Sequence, residues 1–522
     1  MKKSYTYKIG NKTVKRGYLY IPIRYIVAMM ITIFEVLAII GIVVGLSIFV
    51  PYFYIAVYLT HVACVISIIA SEDNPEYKVP WLLVVLVIPV AGFMLYFIFY
   101  RRKLSDKFIK RLKKINESGY EFCDEKNFKK LYDYSPIVHS QARLLCNLSG
   151  SKLFTDTKIK YFPSGESVIN SMLDDLANAK SFIFMEYFII EDGEFWDKIH
   201  EILVKKVKAG VDVRVVYDDI GCMATLPGNY FKTLKKEGIA CVPFSILRGQ
   251  ADSKFNNRSH RKITVIDGVV GYTGGINIAD EYINVRKRFG YWKDSAVRLE
   301  GSAVYELTKL FIFDFGINEK KLSAIPSKEI LYPKIEGEEK GYTIPFGDGP
   351  KPLFKYRVAA SLIENMIETA TESIWITSPY LIIDNTLCLA LENAALRGID
   401  VRIVVPHIPD KKIVFEMTKT YYERLMKSGV RIYEYLPGFI HAKSYLADGK
   451  RAMIGTVNLD YRSLVHHFEN GVWTCETDCV LELKEDMEKI FLESHEVKKE
   501  EIKNGLFRRF FRAIVRVFAP LL

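Results

Sequence analysis

The chain has 522 residues, half of them hydrophobic and 13% aromatic, with 25% charged and a formal net charge of +11. That length exceeds what one hydrophobic core fills, so two or more domains are expected. A mean hydropathy of +0.08 is high for a soluble enzyme and points to a part held in lipid, while the positive balance favours an anionic partner, either nucleic acid or an acidic membrane surface. The eight cysteines are scattered without CxxC pairs or a matching histidine spacing, which argues against a zinc site or a disulfide framework.

In chain order, residues 1–24 form a basic arm carrying Lys2, Lys3, Lys8, Lys12, Lys15, Arg16 and Arg24. Residues 25–100 hold two apolar runs. The first, Ile26 to Ala70, has Glu35 and His61 as its only acidic or basic side chains, and the second, Val79 to Tyr100, has none after Val79. Each exceeds the roughly 20 residues that a bilayer requires. Pro51 near the middle of the first run divides it into two helices with a turn at "FVPYF", so three spans are expected, and the repeated long runs do not fit a cleaved signal peptide. Glu35 reads either as functional or as a protonated or interface-facing side chain. Basic residues flank the region on both sides, the second flank being "RRKLSDKFIKRLKK". Both flanks therefore read as cytoplasmic, which three spans cannot satisfy. The expectation is a multi-pass protein of the cell membrane with its catalytic region in the cytoplasm.

After a polar connector (101–160) the pattern becomes alternating strand and helix. "AKSFIFMEYFII" reads as a buried strand, "EFWDKIHEILVKKVKAG" as an amphipathic helix and "VDVRVVYDD" as another buried strand, a βαβ unit. The order recurs in the second half with "TESIWITSPYLII", "LCLALENAALRG" and "IDVRIVVPH", and "YFKTLKKEGIACVPF" is answered by "YYERLMKSGVRIYEY". Two α/β domains of similar fold are expected, at 161–345 and 346–500, with a site between them. The tail (501–522) places Phe507, Phe511, Ile514 and Phe518 on one helical face and Arg508, Arg512 and Arg516 on another. It reads as a basic amphipathic helix on an anionic membrane surface, or equally as a helix packed on the catalytic domain.

Each half closes with H-x-K-x-x-x-x-D, a small-residue turn and an asparagine: His260, Lys262, Asp267, Gly274, Gly275 and Asn277, then His441, Lys443, Asp448, Gly455, Thr456 and Asn458. Residues two apart on a strand share a face, so each half presents an imidazole beside an ammonium. One HxK carries little weight, because a histidine on an apolar strand is more often a core residue. Two copies at equivalent places of a repeat are a strong signal. If the halves dock about a pseudo-twofold axis, the set suits a phosphodiester: lysines and asparagines on the non-bridging oxygens, one imidazole attacking phosphorus, and the other serving as acid and base. No metal or other cofactor is required. Asp267 and Asp448 belong to the catalytic motif but come at the far end of the strand, before a turn, and are expected to bond turn amides or a neighbouring basic residue.

With these motifs, and with "MEYFIIEDG", "GYTGGINIADEY", "RIYEYLPGFIHAK", "GTVNLDYRSL" and the apolar N-terminus, the chain resembles the bacterial cardiolipin synthases of the phospholipase D superfamily over nearly its whole length. The resemblance implies two tandem phospholipase D-like α/β domains in one chain, preceded by transmembrane helices. It implies transfer of a phosphatidyl group from one phosphatidylglycerol to another, giving cardiolipin and glycerol. It implies His260 as nucleophile and His441 as general acid and base, with Lys262, Lys443, Asn277 and Asn458 as phosphate ligands. Asp294 in "YWKD" and Glu469 in "HHFEN" match the carboxylates that orient the histidines. One departure is His467, where the family carries asparagine. Exchange of one diester for another needs no nucleotide, and the chain has no GxxxxGK[ST] loop.

Three rivals remain. A superfamily nuclease would use the same histidines, but the apolar runs favour lipid over nucleic acid as the partner. A hydrolase, or a transferase with another acceptor alcohol, shares the chemistry. A non-enzymatic membrane scaffold leaves the doubled motif unexplained.

Overall fold

The computed structural model describes residues 4–9, 12–17, 23–49, 51–71, 74–99, 125–245, 257–319, 327–333, 337, 339–351 and 353–502, with 505, 510, 512 and 515–517 beyond. Within the N-terminal arm, Ser4–Ile9 pairs antiparallel with Lys12–Gly17. Four helices follow: α1 (Ile23–Phe49), α2 (Pro51–Ala70), α3 (Pro75–Val87) and α4 (Pro89–Phe99). Large apolar side chains stand exposed on α1 and α2, among them Phe34, Leu37, Ile42, Leu59 and Ile66.

The run from Val79 to Tyr100, expected as one span, is instead two helices of 13 and 11 residues. The chain turns at Ile88, and Gly92 packs so tightly on α3 that a Cβ there would stand 2.4 Å from the Val84 carbonyl oxygen. Neither helix reaches the length a bilayer requires. Among the described residues, no helix is long and apolar enough to cross a membrane.

Two helices, α5 (Glu125–Tyr134) and α6 (Pro136–Ser149), precede the first sheet. Phe128, Leu131, Val138, Ala142 and Leu145 bury their apolar faces in the core of the second domain. Thus the chain visits the second domain before it builds the first.

The first sheet has seven strands: β1 (Thr157–Phe162), β2 (Phe182–Tyr187), β3 (Asp212–Asp218), β4 (Ala240–Phe244), β5 (Lys262–Ile266), β6 (Val270–Gly274) and β7 (Ala296–Gly301), in the order β1-β7-β6-β5-β2-β3-β4. The second comprises β8 (Tyr342–Asp348), β9 (Ser373–Thr377), β10 (Asp400–Pro406), β11 (Arg431–Tyr435), β12 (Ser444–Ala447), β13 (Arg451–Gly455) and β14 (Glu469–Cys475). Its order is β8-β14-β13-β12-β9-β10-β11, with one further edge strand, β15 (Ser494–Glu496). Strand for strand, the second sheet repeats the first. β2, β3 and β4 are parallel, as are β9, β10 and β11, while the other pairings are antiparallel. The central strands are apolar on both faces, as parallel strands covered by helices must be.

Helices α7 (Gly165–Asn178), α8 (Glu194–Lys208) and α9 (Tyr230–Lys236) cover the outer face of the first sheet. The outer face of the second is covered by α11 (Val358–Glu368), α12 (Asn385–Leu396) and α13 (Lys412–Lys427). The inner faces enclose α10 (Val304–Asn318) and α14 (Asp478–Leu492). Phe182, Phe184, Phe311, Leu446, Val472 and Met487 meet there in one shared core. The two domains are therefore a single packed body, and the candidate site lies where their strand ends meet.

In the tail, Arg512 pairs with Glu416 at 3.2 Å and Arg516 lies over the Tyr421 ring at 5.2 Å, both on α13. These two arginines pack on the second domain. Phe507, Arg508, Phe511, Ile514 and Phe518, with the basic stretch after Tyr100, lie outside the described residues.

Candidate active site

Two short strand pairings across the domain boundary set the register of the site. Gly438–Ile440 runs parallel to Tyr291–Lys293, with Ile440 opposite Lys293. The next residues on each side, His441 and Asp294, are thereby neighbours. Ser259 bridges Phe468 in the same way, so His260 and Glu469 come next to each other. The His260 amide donates to the Phe468 carbonyl at 2.8 Å, and that of His441 to the Lys293 carbonyl at 2.7 Å.

The histidine–carboxylate pairs are consequently crossed. His260 of the first half has its Nδ1 3.0 Å from both oxygens of Glu469 in the second. His441 of the second half has its Nδ1 2.6 Å from Asp294 Oδ2 in the first. An ionised carboxylate only accepts, so each Nδ1 carries the proton and each Nε2 is left bare. Thr456 donates its hydroxyl to Glu469. At the matching position, Gly275 leaves room for Asp294: a Cβ there would stand 2.0 Å from its Oδ1. Aromatic rings hold the imidazoles, Phe188 against His260 at 5.2 Å, and Tyr282 and Trp292 against His441 at 5.4 and 5.3 Å.

Lys262 and Lys443 are buried, each donating to the carbonyl of the histidine two residues before it. Burial pushes Lys262 down to about 7 and Lys443 to about 8, although the carboxylates of both halves pull the other way. Burial likewise drives His260 down to about 3 and His441 to about 4. Glu469 is held well below the usual carboxylate range, chiefly by His260, which overrides the effect of its own burial. Each lysine feels the carboxylates of both halves, so the two motifs share one electrostatic cleft.

The asparagines differ. Asn277 accepts from the Ile189 amide at 3.0 Å and donates to the Tyr282 hydroxyl at 2.7 Å, leaving one amide hydrogen. Asn458 donates to Asp460 at 3.3 Å. Asp267 and Asp448 do not enter the cleft. Asp267 accepts from the amides of Lys180, Ser181 and Phe182. Asp448 accepts from those of Thr371, Glu372 and Ser373 and pairs with Arg451 at 2.7 Å.

Beneath the motif lie charges the sequence did not single out. Arg258 forks onto Asp218 at 2.9 Å, fully buried Arg261 pairs with Asp314 at 2.5 Å, and Ser259 donates to Glu186 at 2.5 Å. The arginines flank His260 in "RSHR", but nothing local in sequence points to their acidic partners. His260, His467 and Glu469 bring one ligand atom each to within 4.8 Å of one another. That spacing could hold an ion, against the opposing charge of Lys262.

The sequence profile described as "Cardiolipin synthase, PLD-like domain" matches residues 172–294 and 363–491, and "Phospholipase_D-nuclease N-terminal" matches 61–101. "Cardiolipin synthase 2" of Bacillus anthracis is 34% identical over 471 residues, 88% of this chain and 89% of the relative. The chain belongs to the cardiolipin synthase family. A "Cardiolipin synthase" of Halalkalibacterium halodurans is 33% identical over 90% of this chain and 94% of its own length. An uncharacterised protein of Streptococcus mutans is 38% identical over 88% of this chain and its entire own length. The fold is similar to that of a phosphatidylserine synthase from Haemophilus influenzae, with a TM-score of 0.56 at 15% identity, over 73% of this chain and 97% of that one. As a member of this family, the chain is a phosphatidyltransferase.

Proposed function

We propose that this cardiolipin synthase relative condenses two phosphatidylglycerol molecules into cardiolipin and glycerol through a phosphatidyl-histidine intermediate. The observation that carries the reading is the crossed pair of histidine–carboxylate couples flanked by two buried lysines. The bare Nε2 of His260 attacks the donor phosphorus, and the P–O bond to the leaving glycerol breaks as the P–N bond forms. His441 protonates that leaving oxygen. The acceptor hydroxyl then attacks phosphorus, its proton passes to His441, and His260 recovers the P–N electron pair. Lys262 and Lys443 face the non-bridging oxygens, joined by the free amide hydrogen of Asn277 and by Asn458. Both imidazoles are neutral in the empty cleft. The bound diester's negative charge favours the protonated imidazole that the first step needs.

The N-terminal region beds in the bilayer. With the exposed apolar side chains of α1 and α2 held in the membrane from one side, both basic flanks fall on that side, the cytoplasmic one. The start of α3 is tied to the second domain: Glu76 accepts from the Tyr461 hydroxyl and the Asn385 amide, and Asn74 donates to Asp384 at 2.7 Å. This ties the catalytic domains to the membrane on that side. Protease protection of tags at Met1 and Leu522 checks the arrangement, and tags on opposite sides would refute it.

The reaction is tested with the purified full chain and phosphatidylglycerol in detergent micelles, followed by mass spectrometry. Cardiolipin and glycerol in equal amounts, both lost in His260→Ala and His441→Ala, are expected. Phosphatidic acid without cardiolipin would overturn the transfer.

A further inference from the structure

The two halves of the site are not equivalent beside their asparagines. Ile190 bridges Ile278, and Leu381 pairs with Leu459, so Ile189 beside Asn277 corresponds to Tyr380 beside Asn458. In the first half the asparagine is satisfied by the Ile189 amide and, five residues on, by the Tyr282 hydroxyl. In the second, the Tyr380 amide turns to Ser378 instead, and the residue five on is Ser463. Two buried polar atoms there have no hydrogen-bond partner: Asn458 Oδ1 and Ser463 Oγ, on residues 5% and 2% exposed.

One carboxylate ties them together. Asp460, which replaces Ala279, accepts from Asn458 Nδ2 at 3.3 Å and from the Ser463 amide at 2.8 Å. Four residues past the third strand of each domain, Cys222 of the first corresponds to Asp410 of the second, and Asp410 accepts from the Tyr380 hydroxyl at 2.8 Å. Asp410 and Asp460 both act on Lys443 and on Tyr380, so all four groups border one corner of the cleft. The amide oxygen and the serine hydroxyl lack partners, and the two carboxylates, already accepting one or two bonds each, keep lone pairs for further O–H donors. Such a corner repels a second phosphate and suits vicinal hydroxyls.

We propose that this corner, formed by Asn458, Asp460, Ser463 and the Tyr380–Asp410 pair, binds the glyceryl hydroxyls of the acceptor and so selects a polyol over water and simple alcohols. The inference rests on the transfer reading above. It places the acceptor on the His441 side. There the attacking hydroxyl gives its proton to His441 as the P–O bond forms and the P–N bond to His260 breaks.

The test uses full-length wild type, Ser463→Ala, Tyr380→Phe and Asp410→Asn in phosphatidylglycerol micelles, with unfolding midpoints recorded for each. One arm reads the ratio of cardiolipin to phosphatidic acid, which reports the lipid headgroup as acceptor. The other adds deuterated glycerol and 1-propanol at equal concentration and reads the ratio of labelled phosphatidylglycerol to phosphatidylpropanol, which reports the free polyol. A fall of tenfold or more in either ratio in folded variants is expected, and the arm that falls identifies the source recognised. Wild-type ratios in all three variants would overturn the subsite. Absence of any phosphatidyl transfer by the wild type would instead overturn the reading on which it rests.

Discussion

Asp294 and Glu469 fix which nitrogen of each imidazole holds the proton, and an amide in their place would not, because it can donate as well as accept. Asp294→Asn and Glu469→Gln are expected to lower kcat by about 10²- to 10⁴-fold while the folded structure persists, as steady-state kinetics and circular dichroism will show. The lysines give a second test. Both are held low in the empty cleft, about 7 for Lys262 and about 8 for Lys443, and a bound anion raises them. Above those values, anion binding must therefore take up protons. Affinity for sulfate, which does not titrate in this range, is expected to be full below pH 7 and to fall as pH rises through 7 and 8. Calorimetry in two buffers of different ionisation heat will show proton uptake at pH 8.5, and a pH-independent affinity would refute it. The histidines and lysines were legible in the sequence because the motif occurs twice, and the two carboxylates only through the family resemblance. The crossed pairing was not, since it depends on how two distant halves dock. Nor could the spacing show that Asn458 Oδ1 and Ser463 Oγ would be left unpartnered where Asn277 Oδ1 is satisfied.

Among elements, the turns that end β5 and β12 depend on Asp267 and Asp448, each accepting three backbone amides from a neighbouring loop. Both sit in the left-handed region, at φ of 53° and 56°, which aspartate tolerates better than most residues. Replacement by alanine removes these charge-assisted bonds, two of which are partly buried, and costs about 1–3 kcal/mol. Asp448→Ala is expected to cost more than Asp267→Ala, because it also leaves buried Arg451 without its carboxylate. Urea unfolding midpoints check the order. The short strand at Gly438–Ile440 is more exacting. A Cβ on Gly438 would stand 2.2 Å from the Tyr291 carbonyl oxygen, so Gly438→Ala is expected to part the strands and move His441 off Asp294. Loss of about 10²-fold in kcat follows from a displacement near 1 Å. Long buried strands such as β2 and β3 announce themselves as apolar runs. Three-residue strands that pair across domains have no such pattern, and only the motif residues that follow them hinted at their place.

At the scale of the molecule, the internal repeat predicted two α/β domains, and the sheets repeat each other strand for strand. What the repeat could not show is the shared core of α10 and α14 between the sheets, or that α5 and α6 reach across to the second domain. The N-terminal region was legible in composition only. A continuous apolar run hid the turn at Ile88, although Pro89 marked it, and in place of the expected third span stand two short helices. The central claim concerns the whole assembly: one covalent step at His260, served by an acid and base from the other half. It is tested most directly by mixing the full chain with phosphatidylglycerol, quenching within a turnover and mapping the adduct by peptide mass spectrometry. The account requires a phosphatidyl group on the peptide that carries His260, absent from His260→Ala. An adduct on the His441 peptide, or cardiolipin formed with no adduct on either, would contradict it.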